Sequence, residues 1–266
     1  MRTAGYGVQG NLSFESIYES IVLDLAKSRD VDVGEWQAIK NPDMPQMSTI
    51  ELQDVSFFVP IHREVEQWQK DVKPNLPWAE EHFNERVSGI PYNPPPSHVR
   101  WPFAQRGNAE HTDAEQKFSH TYPERMWPPR ELAGIRSVYG NLNDLVLLLK
   151  NRPGTRQAYL PIWFPEDLTM ATYQDQRVPC TLGYHFLVRG GQLKITYYIR
   201  SCDLYRHFRD DVYMAGRLGQ WVAKRVGAEP AVLVMHISSM HIFSAERGRI
   251  ESDAERAFGP NWKTIS

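Results

Sequence analysis

The chain has 266 residues, 41% hydrophobic and 23% charged, as expected of a globular protein with a substantial core. Its formal net charge of −2 provides no overall basic field for duplex nucleic acid or an anionic membrane, so nucleotide specificity would have to come from a local site. Two cysteines without metal-type spacing, and no apolar run of about 18 residues, predict a cytoplasmic protein of a reducing compartment.

The first half of the chain carries both helix and strand signals. Apolar residues recur at three- and four-residue spacing over 12–28, which predicts an amphipathic helix. Residues 48–59 predict a strand with a bulge, and 77–88 predict a short helix with Pro77 in its first turn. The stretch from about 89 to 130 is rich in proline and aromatic residues. We interpret it as an ordered segment that covers the fold, with a disordered insertion as the alternative.

The second half is more regular. Paired glycines accept the positive φ that tight hairpins need, so Gly190-Gly191 predicts a hairpin over 183–200. A long helix over 210–226 is predicted to stop at Gly227. Further predictions are a helix at 141–151, buried strands at 156–163 and 231–238, and a charged helix at 244–257. This pattern, without G-x-G-x-x-G or a P-loop, predicts an α+β fold in one domain over 1–266.

Cys180 is the candidate nucleophile. The predicted hairpin returns toward it at Arg200 and Ser201, which would bring a guanidinium and a hydroxyl near the thiol. Arginine near a thiol stabilises the thiolate, which is the reactive form. A lone cysteine is more often an inert small hydrophobic residue, so this interpretation depends on the motifs around it.

Four motifs resemble those of thymidylate synthases, in the same order. They are Arg156 followed seven residues later by Trp163, Arg177-Val178-Pro179-Cys180, Tyr198-Ile199-Arg200-Ser201-Cys202-Asp203, and Met240-His241-Ile242-Phe243. The resemblance covers roughly residues 118–245. It implies the fold of that family, in which a large mixed sheet is flanked by helices and the dimer forms through the sheet.

The resemblance also implies roles for these residues. Cys180 would add to carbon 6 of a pyrimidine nucleotide, so that carbon 5 attacks the methylene carbon of the co-substrate 5,10-methylenetetrahydrofolate. Arg200 and Ser201 would bind the nucleotide phosphate, for which a bidentate guanidinium is suited. Arg156 would reach the phosphate bound by the partner subunit of a homodimer. Structural ion pairs are the alternative for both arginines.

Other positions are implied with less chemical detail. Asp203 would contact the base through its backbone and stabilise the site, or would only cap a turn. His241 would bind the sugar 3′-hydroxyl, but Phe243 replaces the tyrosine that shares this contact, which blurs the choice between ribose and deoxyribose. Tyr122 and Trp127 resemble aromatic residues on the folate side, with core packing as the alternative. The nine histidines show no ligand spacing, so we predict no metal.

The largest departure from the family follows Asp203. Synthases carry a base-reading asparagine there, and counting eleven residues from Arg200 puts Asp211 at this position; a one-residue gap puts Asp210 there. An amide suits the donor and acceptor of uracil, whereas a carboxylate suits the exocyclic amine of cytosine. A buried carboxylate facing the uracil carbonyl would cost about 1–3 kcal/mol. The aspartate therefore predicts a cytidine nucleotide; a solvated acidic pair at a helix start is the alternative.

The same exchange is a hallmark of the deoxycytidylate hydroxymethylases of phages and of related cytidylate hydroxymethylases. In these relatives water, not hydride from the folate, completes the reaction, so the resemblance implies 5-hydroxymethyl-dCMP or 5-hydroxymethyl-CMP as product. One alternative is a divergent synthase or hydroxymethylase acting on dUMP. Another is a catalytically silent nucleotide-binding relative, against which Cys180 counts. Further departures are Thr181, Ile199 and Gln157, which replace a histidine, a glutamine and a second phosphate-binding arginine.

A general base, or a carboxylate that positions water, is also required. The helix predicted at 77–88 offers Glu80, Glu81 and Glu85, and Gly89 after it suggests an alignment near Glu81. We therefore predict Glu81 as the third catalytic residue beside Cys180 and Asp211. Exposed glutamates on a helix are commonly only solubilising, so the sequence does not fix which of the three acts.

Overall fold

A mixed eight-stranded sheet forms the centre of the fold. The computed structural model describes residues 3–6, 13–31, 48–101, 116–128, 140–174 and 176–265. The strands are β1 (Thr3–Tyr6), β2 (Asp30–Val31), β3 (Thr49–Pro60), β4 (Tyr159–Pro161), β5 (Thr181–Arg189), β6 (Gln192–Ile199), β7 (Cys202–Asp203) and β8 (Glu229–Phe243). They follow the order β1-β3-β8-β6-β5-β4, with β2 on β3 and β7 on β8. Because β8 runs antiparallel to β3 but parallel to β6 and β7, the sheet is mixed.

Helices pack against this sheet. They are α1 (Phe14–Ala26), α2 (Val65–Val72), α3 (Trp78–Arg86), α4 (Tyr122–Met126), α5 (Leu142–Asn151), α6 (Pro165–Tyr173), α7 (Arg209–Val226) and α8 (Arg247–Phe258). The longest, α7, contacts β6 and β8 as well as α2, α3 and α5. Fully buried side chains such as Ile195, Met235 and Val222 form the core between them, each contributing about 1.5–3 kcal/mol. The predicted α+β fold, a mixed sheet flanked by helices, is confirmed.

Local sequence signals predicted several elements correctly. Gly190 and Gly191 turn the β5–β6 hairpin with φ of 55° and 75°, and Gly227 ends α7 with φ of 71°. The helices predicted at 12–28, 77–88, 141–151 and 244–257 correspond to α1, α3, α5 and α8, the last after a 3₁₀ turn. The bulge predicted in β3 lies at Asp54, where φ is 54° and the register against β1 shifts.

Two strands differ from their predicted bounds. Only Tyr159–Pro161 of the stretch 156–163 forms a strand, and Tyr159 is exposed because β4 lies at the end of the strand order. The strand predicted at 231–238 continues to Phe243, since Met240 pairs both with Leu52 of β3 and with Cys202 of β7. The extension places His241 on this strand.

The described parts of the proline-rich stretch are packed onto α3. Ser97, in the 3₁₀ turn Pro96–Arg100, donates to Glu85 from both its backbone nitrogen and its hydroxyl, each at 2.6 Å. A capping box of Thr121 and Glu124 starts α4, and Asn93 donates to Glu124 at 3.0 Å. These bonds order the residues around α3, as expected of a covering segment; positions 102–115 and 129–130 lie outside the described residues.

The face of the sheet opposite the α7 core is partly open. Phe58 and Tyr198 alternate with the buried Phe57 and Tyr197, so they point away from the core. Tyr198 stacks on His236 of β8 with ring centroids 5.3 Å apart. The outer face therefore presents aromatic groups to whatever covers it.

Candidate active site

Cys180 immediately precedes β5, and the hairpin brings Arg200 beside it. The Arg200 backbone nitrogen donates to the Cys180 carbonyl at 2.9 Å. Its guanidinium donates to the carbonyls of Pro179 at 2.9 Å and Val178 at 3.1 Å. Arg200 therefore also fixes the backbone that leads to the thiol.

The charge balance around the Cys180 thiol differs from the simple expectation of a thiolate beside an arginine. Burial raises the pKa of Cys180, and this outweighs the lowering effect of Arg200 and Arg177; the Asp211 carboxyl raises it further. Without substrate, the site therefore holds a protonated thiol at neutral pH. The two guanidinium groups reduce the cost of forming the thiolate without removing it.

A chain of buried hydroxyl groups lies next to the nucleophile. Thr181 donates to the Tyr122 hydroxyl at 3.2 Å, and its Oγ1 lies 2.8 Å from the Tyr197 hydroxyl. Tyr197 stacks on Tyr184 with centroids 4.6 Å apart. This network occupies the position where the histidine after the nucleophile was expected, and it links Tyr122 to the Cys180 side of the site.

Asp211, in the first turn of α7, belongs to the same cluster. Cys202 donates its thiol proton to Asp211 at 3.7 Å. Burial raises the pKa of Asp211 to about 7, opposed by the positive charge of Arg86. Asp210 is engaged elsewhere, since its carboxylate accepts two bonds of 2.8 Å from Asn75. Of the two acidic residues considered for the base-reading position, Asp211 is the one that accepts from the Cys202 thiol and raises the pKa of Cys180.

Arg86 lies at the bottom of this cluster and was not singled out by the sequence. It is only 4% exposed, and its guanidinium carbon lies 4.0 Å from the centre of the Tyr122 ring. Its Nε is buried without a hydrogen-bond partner, and no ion pair joins it to the described residues. Arg86 is the last residue of α3, and polar helix ends give no periodic signal from which an inward orientation can be read.

The candidate phosphate and sugar residues lie where β6 passes into β7. Ser201 is partly buried at this break, where Ser239 of β8 donates to the Arg200 carbonyl at 3.1 Å. The Asp203 carboxylate is used locally, capping the backbone nitrogens of Tyr205 and Arg206 at 2.9 Å. The Asp203 side chain therefore caps this turn, while its backbone belongs to β7.

His241 lies opposite Asp203 in the β7–β8 pairing. Its side chain is buried, and Nε2 has no hydrogen-bond partner in the part of the chain that the structure describes. Burial lowers the pKa of His241, so the ring is neutral at physiological pH. An unpaired buried ring nitrogen is what a histidine that awaits a ligand hydroxyl would present.

Arg156 stands apart from this cluster. It is exposed before β4, and its carbonyl lies 3.0 Å from His185 Nε2. His185 lines an open groove on the outer face of the sheet together with Tyr159, Leu182 and Tyr198. Among the described residues, no contact joins Arg156 to Cys180.

The two aromatic residues predicted for the folate side are placed differently. Trp127 is buried and donates its indole proton to the Arg86 carbonyl at 2.8 Å, so it is a packing residue. Tyr122 faces the thiol. A cavity of about 200 Å³ instead has other aromatic walls; it is lined by Trp78, His98, Trp101, Phe118, Ser119, His120 and Arg177.

The three glutamates considered as bases are all bound elsewhere. Glu80 accepts from Tyr213 at 2.6 Å and from Arg217 at 2.7 Å. The predicted Glu81 is partly exposed and pairs with Arg100 at 2.7 Å, and Glu85 binds Ser97. Among the described residues, no contact joins any of them to Cys180. The described residues also contain no group of three or more His, Cys, Asp or Glu side chains that could hold a metal ion.

The comparison with known proteins follows this geometry. A family model described as "Thymidylate synthase" matches residues 95–263, which is more than half of the chain. The chain belongs to the thymidylate synthase family.

Individual relatives are distant. A protein of Methanocaldococcus jannaschii named "Putative thymidylate synthase" is 25% identical over 150 residues, covering 54% of this chain and 66% of the relative. The thymidylate synthase of Rhizorhabdus wittichii is 30% identical over 132 residues, covering 49% and 40%. The chain thus spans about 40% to 66% of the length of these relatives.

The fold is shared with a solved member of the family. Thermostable thymidylate synthase A of Bacillus subtilis superposes with a TM-score of 0.67 over 92% of this chain and 85% of that one, at 16% identity. The predicted thymidylate synthase-like fold is therefore confirmed. No helix in the described ranges is long and apolar enough to cross a membrane.

Proposed function

We propose that this protein transfers a one-carbon unit from 5,10-methylenetetrahydrofolate to carbon 5 of dCMP or CMP, and that water addition yields the 5-hydroxymethyl nucleotide. Cys180 is the nucleophile that adds to carbon 6. Arg200 and Ser201 hold the phosphate, and His241 receives the sugar hydroxyl. The proposal extends the family's one-carbon chemistry to a cytidine base.

The observation that carries the proposal is the position of the partly buried Asp211 carboxyl, which accepts from the Cys202 thiol and raises the pKa of Cys180. A carboxyl group there accepts from the exocyclic amine of cytosine and shares a proton with its ring nitrogen. Its raised pKa, about 7, suits this sharing, because both protonation states are populated near neutral pH. Opposite a uracil carbonyl, the ionised carboxylate would place two hydrogen-bond acceptors against each other, which would cost about 1–3 kcal/mol.

The folate has a candidate location in the aromatic cavity. Trp78 and Trp101 form its walls with ring centroids 6.3 Å apart, and Arg177 borders it three residues before Cys180. The buried Trp78 Nε1 bonds to none of the described residues, so its proton is available to a ligand acceptor. Flat apolar walls with a few polar groups suit a pterin ring, which would supply the activated methylene carbon.

We further propose a homodimer that associates through the outer face of the sheet. This face exposes Tyr159, Phe58 and part of Tyr198, and exposed aromatic groups that lie together are candidates for a protein interface. Arg156 borders this surface, so a symmetric partner would bring it toward the second site. The proposal explains why an arginine matched to a phosphate contact lies away from Cys180 within its own chain.

The test is a product analysis. Purified protein is incubated with 5,10-methylenetetrahydrofolate and dCMP, CMP or dUMP, and the nucleotides are measured by mass spectrometry, with a Cys180→Ala protein as control. We expect 5-hydroxymethyl-dCMP or 5-hydroxymethyl-CMP from the parent protein only. Asp211→Asn should lower kcat/KM for the cytidine nucleotide by about 10- to 100-fold, since about 1.4 kcal/mol corresponds to tenfold. An Asn variant with unchanged base preference would contradict the role of Asp211.

A second candidate function is methylation or hydroxymethylation of dUMP. Its specific support is the same raised pKa of Asp211, because a protonated carboxyl can donate to the uracil carbonyl. Methylated uridine nucleotide together with dihydrofolate would establish this candidate. Nucleotide binding by both the parent and Cys180→Ala, with no product from either, would favour a silent binding protein.

A further inference from the structure

Water addition needs a group that accepts a proton. On the inward face of α3, the helix expected to provide this group, His82 is a candidate. The glutamates of α3 are bound to Arg217, Arg100 and Ser97. His82 and Arg86, four residues apart, are instead buried on the same side of the helix. The inward face of α3 thus presents an imidazole and a guanidinium.

The hydrogen bonds of His82 define its tautomer. Nδ1 lies 3.1 Å from a carboxylate oxygen of Glu85 and 3.3 Å from the Ser97 hydroxyl, which itself donates to Glu85. A carboxylate only accepts, so Nδ1 carries the proton in the neutral ring, and Nε2 keeps its lone pair. No described residue bonds to Nε2.

His82 contacts a wall of one proposed binding region, and Arg86, on the same side of α3, contacts a residue of the other. The His82 ring stacks on Trp78, a wall of the aromatic cavity, with centroids 5.2 Å apart and planes 15° from parallel. Arg86, four residues further along α3, places its guanidinium over the ring of Tyr122. The Tyr122 hydroxyl accepts a hydrogen bond from Thr181, the residue after Cys180. The one-carbon unit would pass from the cavity to the nucleotide across this position.

We propose that His82 accepts the proton of the water that attacks the transferred carbon, an assignment that rests on the proposed function. The water oxygen bonds to the exocyclic methylene carbon on carbon 5. The electron pair of that exocyclic double bond moves to form the double bond between carbons 5 and 6. The bond from carbon 6 to the Cys180 sulfur breaks, and Cys180 leaves as thiolate. The water proton goes to His82 Nε2, so no oxidant or reductant is consumed.

The charges around His82 act on this role in opposite directions. Burial lowers the pKa of His82 to about 4, and Arg86 lowers it too, while Glu85 raises it. The ring is therefore neutral at pH 7 with its lone pair available. The Glu85 carboxylate at 3.1 Å would stabilise the imidazolium that forms, as a carboxylate does for a catalytic histidine.

The experiment uses His82→Ala and His82→Gln, with His62→Gln as matched control. His62 lies on the surface, where it pairs with Asp71 at 3.3 Å. We expect both His82 variants to lose about 10²- to 10⁴-fold in product formation while nucleotide affinity, measured by calorimetry, stays within about threefold. Gln can still donate to Glu85, so it preserves packing without a basic nitrogen. Added imidazole should restore part of the activity of His82→Ala.

Two further readouts separate a chemical role from a structural one. Intact-protein mass spectrometry of His82→Gln should detect Cys180 carrying the nucleotide and the one-carbon unit, because the last step is slowed. Full activity in His82→Gln, or loss of activity with neither imidazole rescue nor an adduct, would overturn the assignment. If the parent protein itself makes no hydroxymethylated nucleotide, the proposed function fails, whatever the His82 variants do.

Discussion

Asp211 combines two opposing electrostatic influences at the residue scale. The positive charge of Arg86 favours the ionised form of the carboxyl group. Burial and the neighbouring Asp210 act the other way, and its pKa rises to about 7 against the opposing charge of Arg86. The carboxyl group therefore changes charge at the pH where the enzyme would act.

This shift predicts a pH-dependent cost in stability. The folded-state pKa is above the ordinary value of 3.8, so the folded protein binds this proton more tightly, and stability is lost as pH rises from about 4 to 7. Asp211→Asn removes the cost. We expect its advantage in free energy of unfolding to grow by about 1–3 kcal/mol between pH 5 and pH 8, measured by urea unfolding. An advantage that is equal at both pH values would contradict this origin.

The residues of the site differ in how far the sequence predicts them. Cys180, Arg200 and Asp211 belong to contiguous motifs or fixed counts, and the hairpin that joins them is local. His82 and Arg86 give no such signal, because α3 has polar residues on all sides and its orientation is set by packing against α7 and the proline-rich turn. Glu81 was predicted from sequence spacing, and spacing carries no information on the ion pair that it forms with Arg100.

At the scale of elements, α7 and α2 meet without room for an extra carbon atom. The Trp68 side chain is fully buried and donates its indole proton to the Tyr213 carbonyl at 3.0 Å. A β-carbon at Gly216 would lie 2.4 Å from the Trp68 ring. The close approach of these helices supports α7, whose first turn carries Asp211.

Gly216→Ala should therefore be destabilising, in contrast to the same change at Gly248 in α8. Overpacking against Trp68 costs about 1–3 kcal/mol in free energy of unfolding. A β-carbon at Gly248 meets no atom within 4 Å, so helix propensity alone should stabilise that variant by about 0.5–1 kcal/mol. Chemical denaturation of both variants measures the difference; equal effects would show that the contact with Trp68 relaxes freely.

Elements bounded by glycine were predictable because the backbone conformation they require is local. Gly190-Gly191 and Gly227 each take the positive φ that ends a strand or a helix. The length of β8 was not predictable, since Ser238 and Ser239 read as the end of a strand and only pairing with β3 and β7 continues it. The packing role of Trp127 was not predictable either, because it depends on a tertiary contact, the hydrogen bond from its indole to the Arg86 carbonyl.

At the scale of the whole molecule, the division between the thiol cluster and Arg156 predicts shared sites. Arg156→Ala and Cys180→Ala should each be inactive in the proposed reaction. When the two are unfolded together, refolded and mixed in equal amounts, half of the random dimers are mixed, and each mixed dimer has one intact site. Activity should return to roughly a quarter of the parent value. No recovery, with mixed dimers verified by native mass spectrometry, would place Arg156 outside the partner's site.

The shortness of β4 has a consequence for aggregation. A sheet can grow by adding strands wherever a long row of unpaired backbone groups is presented. At this end of the sheet the row is only three residues long and includes Pro161, which has no N–H to donate. Substitutions that break the proposed dimer on the outer face should therefore release monomers, because β4 offers little backbone on which a fibril could be templated.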